Sequence, residues 1–190
     1  MIGAVYRQPE HILVTYMGES FAVPRVYRPS YSSSPPPYES LRVSICPKTD
    51  EPYYEGSCNS PWTVELSTLP ITKRFDAYYL LDNVGAIYEG DVLMSKGTGA
   101  KPHPDGSFYY TQSGSHKRIF TDKAGQIRRF VSCSLGTCRV YSRTSGGNLM
   151  FSTSVTDNDA TSIWRAEEAK WLAEFESWKC RDTKCRGRLK

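Results

Sequence analysis

The sequence lacks long apolar runs. None of the runs in its 190 residues approaches the roughly 20 apolar residues that a membrane-spanning helix needs. The first ten residues also lack the basic start, apolar stretch and small-residue cleavage site of a secretory signal. We therefore predict no transmembrane segment. Whether the cysteines form disulfides distinguishes a cytosolic protein from one whose signal peptide has been removed.

Residues that commonly carry catalysis are few. The chain has three histidines, His11, His103 and His116, and none pairs with another at metal-ligand spacing. It contains no nucleophile elbow, zinc-protease motif or phosphate-binding glycine motif. We therefore predict a protein that is not an enzyme and that binds no metal or cofactor. A hydrolase with scattered carboxylates stays open as an alternative, because such pairs need not be adjacent in sequence.

Net charge is small and unevenly distributed. The formal charge is +4, and much of it lies in Lys179 and in a basic tail at 180–190. Without these residues the chain is close to neutral, which argues against an electrostatic footprint for nucleic acid. We predict no nucleic-acid partner. Binding to a nucleic acid or a charged surface through the tail remains a second alternative.

Tyrosine, proline and glycine are plentiful, with 13, 12 and 14 residues. Tyrosine favours strands, and proline and glycine favour turns. Short alternating or apolar runs recur at about eight to twelve residues, the spacing of an all-β chain. They lie at 12–16, 21–24, 41–45, 62–66, 78–81, 87–88, 92–94, 108–111, 119–121, 127–131, 139–142 and 149–155. We predict one domain over 1–190 with an α+β fold, mostly antiparallel β in a sheet or sandwich.

One segment, 160–179, predicts a helix. Its large apolar residues fall on a single helical face and its charged residues on the other. The apolar face consists of Trp164, Trp171, Phe175 and Trp178. Asp and Asn residues at 157–159 offer N-caps and favourable charge at its start. We expect this C-terminal amphipathic helix to pack on the sheet.

The six cysteines fall into three local pairs, Cys46–Cys58, Cys133–Cys138 and Cys180–Cys185. Turn-forming residues separate the two members of the first two pairs, so we predict three disulfides among the 15 pairings that six cysteines allow. A zinc site built from the last two pairs and free thiols in a cytosolic protein are the alternatives. Disulfides indicate an oxidising compartment. With them, we expect a signal peptide that has been removed ahead of Met1.

The loop enclosed by Cys46 and Cys58 predicts recognition. It combines three acids with two tyrosines, Asp50, Glu51, Tyr53, Tyr54 and Glu55. A bridged loop loses less entropy on binding, and tyrosine supplies contact area with few torsions. We predict that this loop binds a partner with a basic cleft.

A Pro/Ser-rich loop at 28–38 has polyproline character and adds Tyr31 and Tyr38 as candidate anchors. A rigid recognition arm is one interpretation of this loop. For both loops, a solvated connection between strands is the alternative interpretation.

Three segments carry a resemblance to known proteins: FAVPRVY at 21–27, IRRFVSC at 127–133 with Cys138 in the same hairpin, and SIWR at 162–165. In this order they resemble periplasmic, often lipid-anchored bacterial proteins. That group includes immunity proteins of type VI secretion effectors, among them phospholipase D-type toxins. The resemblance carries no catalytic signature. The proline-rich loop and the Cys180–Cys185 pair depart from its pattern.

The resemblance implies a protein partner, a secreted toxin whose active site the chain would occlude in the periplasm. It also allows a lipid anchor in the precursor. A phospholipase D toxin binds anionic phosphate, so its pocket is expected to be basic. The acids Asp50, Glu51 and Glu55 would suit such a pocket.

Overall fold

The computed structural model describes residues 10–33, 37–47, 49, 51–53, 57–112, 115–154 and 161–181, with 112 and 161–163 described by their backbone alone. These residues form a mostly antiparallel β fold with a C-terminal helix packed against a large sheet. The predicted α+β class is confirmed.

The strands of the described chain are short. They are β1 His11–Tyr16, β2 Glu19–Pro24, β3 Ser30–Ser32, β4 Ser40–Ile45, β5 Trp62–Ser67, β6 Ile87–Glu89, β7 Val92–Ser95, β8 Lys101–Pro102, β9 Phe108–Gln112, β10 Ser115–Thr121, β11 Ile127–Ser134, β12 Thr137–Thr144 and β13 Gly147–Ser154. The helices are α1 Phe75–Asn83 and α2 Thr161–Trp178, and short 3₁₀ turns lie at Arg25–Tyr27 and Ile71–Lys73.

Nine strands form one antiparallel sheet in the order β3-β4-β5-β13-β12-β11-β10-β9-β8. Strands β9 to β13 follow one another as a meander, and β5 then pairs with β13 so that Leu66 lies opposite Leu149. The hairpins β1–β2 and β6–β7 stand outside this sheet. Strand β3 lies within the predicted loop at 28–38, of which residues 34–36 are outside the described residues.

Successive residues of a strand point to opposite faces of the sheet, and both faces of this sheet carry a buried core. On one face, Val140 and Phe151 belong to a core that includes helix α2 and the β1–β2 hairpin. On the other, Phe130 and Tyr141 belong to a second core with helix α1 and Leu93 of β7. The two helices therefore lie on opposite faces of one sheet.

Helix α2 runs from Thr161 to Trp178 within the predicted helix at 160–179; residue 160 is outside the described residues, and Lys179 instead forms a β-bridge with Phe21. Its predicted apolar face is buried throughout, at Trp164, Trp171, Phe175 and Trp178. The spacing of these aromatic side chains matches one stripe of a helix, and that stripe packs against the sheet.

Helix α1 corrects the prediction that 78–81 belongs to the series of strands. The segment is helical from Phe75 to Asn83 and follows a 3₁₀ turn. Its buried residues, Ala77, Leu80 and Leu81, have the three- and four-residue spacing of a helix face. A four-residue apolar run does not distinguish a buried strand from a helix, and this explains the error.

Candidate functional site

The loop enclosed by Cys46 and Cys58 is fixed to the end of strand β4. The two sulfur atoms lie at disulfide-bond distance. The Cys46 N–H donates to the Glu51 carbonyl at 2.9 Å, and the Tyr53 N–H donates to the Ser44 carbonyl at 3.0 Å. The predicted binding residues Asp50, Tyr54 and Glu55 are outside the described residues. The described part of the loop is thus held by main-chain bonds as well as by the bridge.

The two predicted loop residues that the structure describes differ in exposure. Glu51 is exposed, whereas Tyr53 is half-buried. The Arg28 guanidinium lies 5.0 Å from the centroid of the Tyr53 ring. A cation at this distance is attracted to the ring face. Tyr53 therefore already has an intramolecular cation as a neighbour.

The predicted anchor Tyr38 does not join Tyr53 in one patch. Tyr31 is exposed on the edge strand β3, opposite Leu41. Tyr38 precedes β4, whereas Tyr53 bonds to Ser44 near its other end. A six-residue strand is about 17 Å long, so the two tyrosines lie at opposite ends of β4.

A paired carboxylate lies beside Tyr38 and fixes the start of helix α1. Glu65 is almost fully buried and accepts from Arg42 Nε at 3.1 Å and from Arg74 Nη2 at 2.8 Å. These residues and Tyr38 line a cavity of about 100 Å³. A buried carboxylate is stable only when it is paired, so removal of one arginine would be costly. Arg74 directly precedes α1 and thereby ties the helix to the sheet.

The outer face of α1 presents three aromatic side chains that sequence reasoning missed. Phe75 is 79% exposed, Tyr78 53% and Tyr79 49%. The Phe75 and Tyr79 rings stack with centroids 6.0 Å apart. On a helical wheel these residues lie opposite the buried Leu80 and Leu81. The helix is therefore apolar on both faces, and one of these faces is uncovered in the monomer.

The β6–β7 hairpin, which follows α1 in the chain, also carries exposed apolar side chains. Ile87 and Met94 are exposed there, 64% and 68% respectively. Tyr88 of β6 is half-buried and packs against the core beneath α1. We call Phe75, Tyr78, Tyr79, Asp82 and Tyr88 the α1 surface. Its only sequence signal is the clustering of aromatic residues at 75–88.

His103, Asp105 and Ser107 form a hydrogen-bonded turn. Ser107 Oγ donates to Asp105 Oδ1 at 2.6 Å, and His103 Nδ1 lies 2.9 Å from the same oxygen. Partial burial alone would raise the pKa of Asp105, but hydrogen bonds from Ser107 and His103 and the charge of Arg118 hold that pKa below its ordinary value. In a hydrolytic triad the serine would donate to the imidazole. Here its proton goes to the carboxylate, an arrangement that stabilises the turn.

A cavity of about 380 Å³ lies between α2 and the β1–β2 and β12–β13 turns. Buried Phe21 and Phe175 line it. At its edge, Lys179 Nζ lies 2.9 Å from Glu19 and 3.2 Å from Glu176. Because Glu19 and Glu176 are already paired with this lysine, these three side chains offer no unpaired charge that would define a ligand.

Cys133 and Cys138 also lie at disulfide-bond distance and face each other in the β11–β12 hairpin. The hairpin turn has positive φ at Leu135 (50°) and Gly136 (75°), as a type I′ turn requires. Two bonded pairs indicate an oxidising compartment, and bonded sulfurs are not zinc ligands. The predicted Cys180–Cys185 pair cannot be placed, because Cys185 is outside the described residues.

Within the described residues, no helix is long and apolar enough to cross a membrane. The same residues contain no group of three or more His, Cys, Asp or Glu side chains arranged to hold a metal ion. Comparisons of the chain with protein-family models, curated proteins and solved structures find no match. The fold and the exposed surfaces are therefore the observations from which function is inferred.

Proposed function

We propose that this protein is a non-catalytic binding protein of the periplasm that acts as an immunity protein. It binds a secreted bacterial toxin, with a lipase or phospholipase D effector as the favoured class, and occludes its active site. The observation that carries the proposal is the exposed aromatic face of α1. The resemblance of the segments at 21–27, 127–133 and 162–165 supports the choice of toxin class, and the two disulfides support an oxidising compartment.

The α1 surface has the composition of an interface. Tyr, Phe and Met are enriched in protein interfaces, and large aromatic side chains often supply most of the binding energy. Contiguous exposed apolar patches are uncommon on monomeric proteins and often mark interaction sites. Phe75, Tyr78 and Tyr79 lie within two helical turns, with Ile87 and Met94 on the next hairpin.

The helix that carries these side chains is rigidly attached to the sheet. Leu80 and Leu81 are buried beneath it. At its start, Arg74 pairs with Glu65, and Asp76 accepts from Arg139 Nη1 and Tyr141 Oη, each at 3.2 Å. A surface held in its bound conformation loses less entropy on association. The α1 surface thus meets the requirement of an inhibitor that must bind tightly.

Titration calorimetry with the purified product of the neighbouring gene, which the proposal takes to be the toxin, tests the proposal. We expect one-to-one binding, and we expect the double variant Tyr78→Ala/Tyr79→Ala to lose about 2 kcal/mol or more of affinity. Leu13→Ala removes an exposed apolar side chain on β1 and should bind like the wild type. Equal binding by all three proteins would move the interface away from α1. No binding by the wild type would reject the proposed function.

A further inference from the structure

We propose that the partner segment received by the α1 surface is basic, with an arginine or lysine side chain seated at Tyr78, Asp82 and Tyr88. This inference rests on the proposed binding function and names the chemistry of the partner. Three observations support it: the placement of these three side chains, two exposed acids on α1 and β6 that form no ion pair with a described residue, and aromatic rings over which no described lysine or arginine lies.

The three side chains lie together at the junction of α1 and β6. Tyr78 and Asp82 are four residues apart on the helix, so they occupy neighbouring positions on its outer face. Partial burial, together with the nearby Tyr78 phenol and Asp82 carboxylate, raises the pKa of the Tyr88 phenol above its ordinary value. A cation placed here would meet one carboxylate and two phenol rings.

Two exposed acids, Asp82 of α1 and Glu89 of β6, differ in their ion pairing from other acids of the chain. Asp91, Asp105 and Asp122 each pair with an arginine. Asp82 and Glu89 are exposed, and neither forms an ion pair or a side-chain hydrogen bond with another described residue. Their charge is available to a partner, and an exposed unpaired carboxylate attracts basic groups.

The aromatic rings of the α1 surface also differ from aromatic rings elsewhere in the chain, in whether a cation lies over them. Elsewhere the chain places its own cations over rings, as Lys96 does at 3.5 Å from the Phe108 centroid. In the described part of the molecule, no lysine or arginine lies over the rings of Phe75, Tyr78, Tyr79 or Tyr88. Tyrosine faces attract guanidinium and ammonium groups, and desolvation on binding strengthens that attraction.

Lys73 carries a positive charge close to this site. The charge of Lys73 acts on Tyr88, although its ammonium also lies 5.7 Å from the Tyr38 ring centroid. Because Lys73 is exposed and repels a basic partner, its removal should favour binding. Lys73→Gln therefore provides a test in which the expected change is a gain of affinity.

The probe is a pair of fluorescent peptides of about twelve residues, one repeating Arg-Gly-Leu and the other Glu-Gly-Leu, with binding followed by fluorescence anisotropy. We expect the arginine peptide to bind the intact protein at low salt and the glutamate peptide not to bind. Asp82→Lys with Glu89→Lys should weaken binding at least tenfold, or about 1.4 kcal/mol. Lys73→Gln should tighten it. The difference between variants should shrink as salt rises to about 0.5 M.

A matched pair of substitutions controls for net charge. Glu10→Lys with Glu174→Lys changes the charge equally at residues outside α1, the β6–β7 hairpin and the predicted binding loops. This variant should retain affinity within about twofold. Equal affinity for both peptides, or equal weakening by the two charge-reversal pairs, would overturn the inference.

The toxin titration separates this inference from the proposed function. If Tyr78→Ala/Tyr79→Ala abolishes toxin binding while Asp82→Lys/Glu89→Lys leaves it unchanged, the α1 surface is the interface but its partner is apolar. In that case the proposed function stands and the basic-partner inference fails. If the wild type binds the arginine peptide but no toxin, the charge inference stands and the immunity function fails.

Discussion

The rings of Phe75 and Tyr79 stack one helical turn apart on the outer face of α1, with centroids 6.0 Å apart and an angle of 18° between their planes. Both side chains nevertheless remain largely exposed. Their contact is local to the helix, so it orients the two rings without covering them. A stacked pair of this kind presents a broad apolar face before any partner arrives.

The two faces of α1 should respond differently to truncation. Phe75→Ala/Tyr79→Ala should change the free energy of unfolding by about 1 kcal/mol or less, because the lost ring contact is partly offset by the higher helix propensity of alanine. Leu80→Ala, on the buried face of the same helix, should cost about 2–5 kcal/mol. Urea denaturation measures both changes. A large loss of stability in the double variant would mean that these rings maintain the fold.

The mass change on reduction tests whether the protein belongs to an oxidising compartment. Because all six cysteines are predicted to be paired, intact mass should increase by six hydrogens on reduction. Cys46–Cys58 and Cys133–Cys138 account for four of these, and Cys180–Cys185 for the remaining two. Reduction should also lower stability by about 2–3 kcal/mol for each short loop opened. A mass unchanged by reduction would contradict the assignment to an oxidising compartment.

Stability should fall in alkaline solution through Tyr141. Burial, followed by the nearby Asp76 carboxylate, raises the pKa of Tyr141 from 10.0 to about 12. The unfolded chain therefore releases this proton at lower pH than the folded protein. Stability from this residue is complete below about pH 10 and is lost as pH rises toward 12. In denaturation at several pH values, Tyr141→Phe should show a smaller alkaline loss, and an equal loss would contradict the assignment.

The loop enclosed by Cys46 and Cys58 stays a prediction that substitution can test. The triple variant Asp50→Lys, Glu51→Lys, Tyr54→Ala should remain folded, because substitutions in a surface loop usually change stability little. If the loop binds the toxin, reversal of its acids should slow association, most strongly at low salt. Unchanged association in stopped-flow measurements would assign the loop to a structural connection, leaving α1 as the binding surface.

The helices show what sequence alone can predict. In α2, the spacing of Trp164, Trp171 and Phe175 makes one helical face unmistakable, and all three are buried. In α1, aromatic residues lie on both sides of Leu80 and Leu81, so the run at 78–81 has no clear period. The features that hide the helix from sequence analysis are the same exposed aromatics that make it a candidate interface.

The sheet order and the site depend on contacts that local patterns do not encode. Leu66 pairs with Leu149, which lies 83 residues further along the chain (149 minus 66), and only tertiary packing decides that pairing. Tyr53 and Tyr38 were both predicted as aromatic binding residues in loops, yet they lie at opposite ends of β4. Sequence chemistry identified acids and tyrosines as binding residues, whereas the structure offers the same chemistry at Asp82, Tyr78 and Tyr88.

The most direct test of the proposed function is the activity of the toxin that the proposal assigns to the neighbouring gene, measured as the protein is added. The wild type should abolish toxin activity near one-to-one stoichiometry, because occlusion of an active site needs one inhibitor for each enzyme. Phe75→Ala/Tyr78→Ala/Tyr79→Ala, with its fold verified by circular dichroism, should leave the toxin active at the same ratio. Full toxin activity in excess wild-type protein, or full inhibition by the triple variant, would contradict an immunity protein that acts through α1.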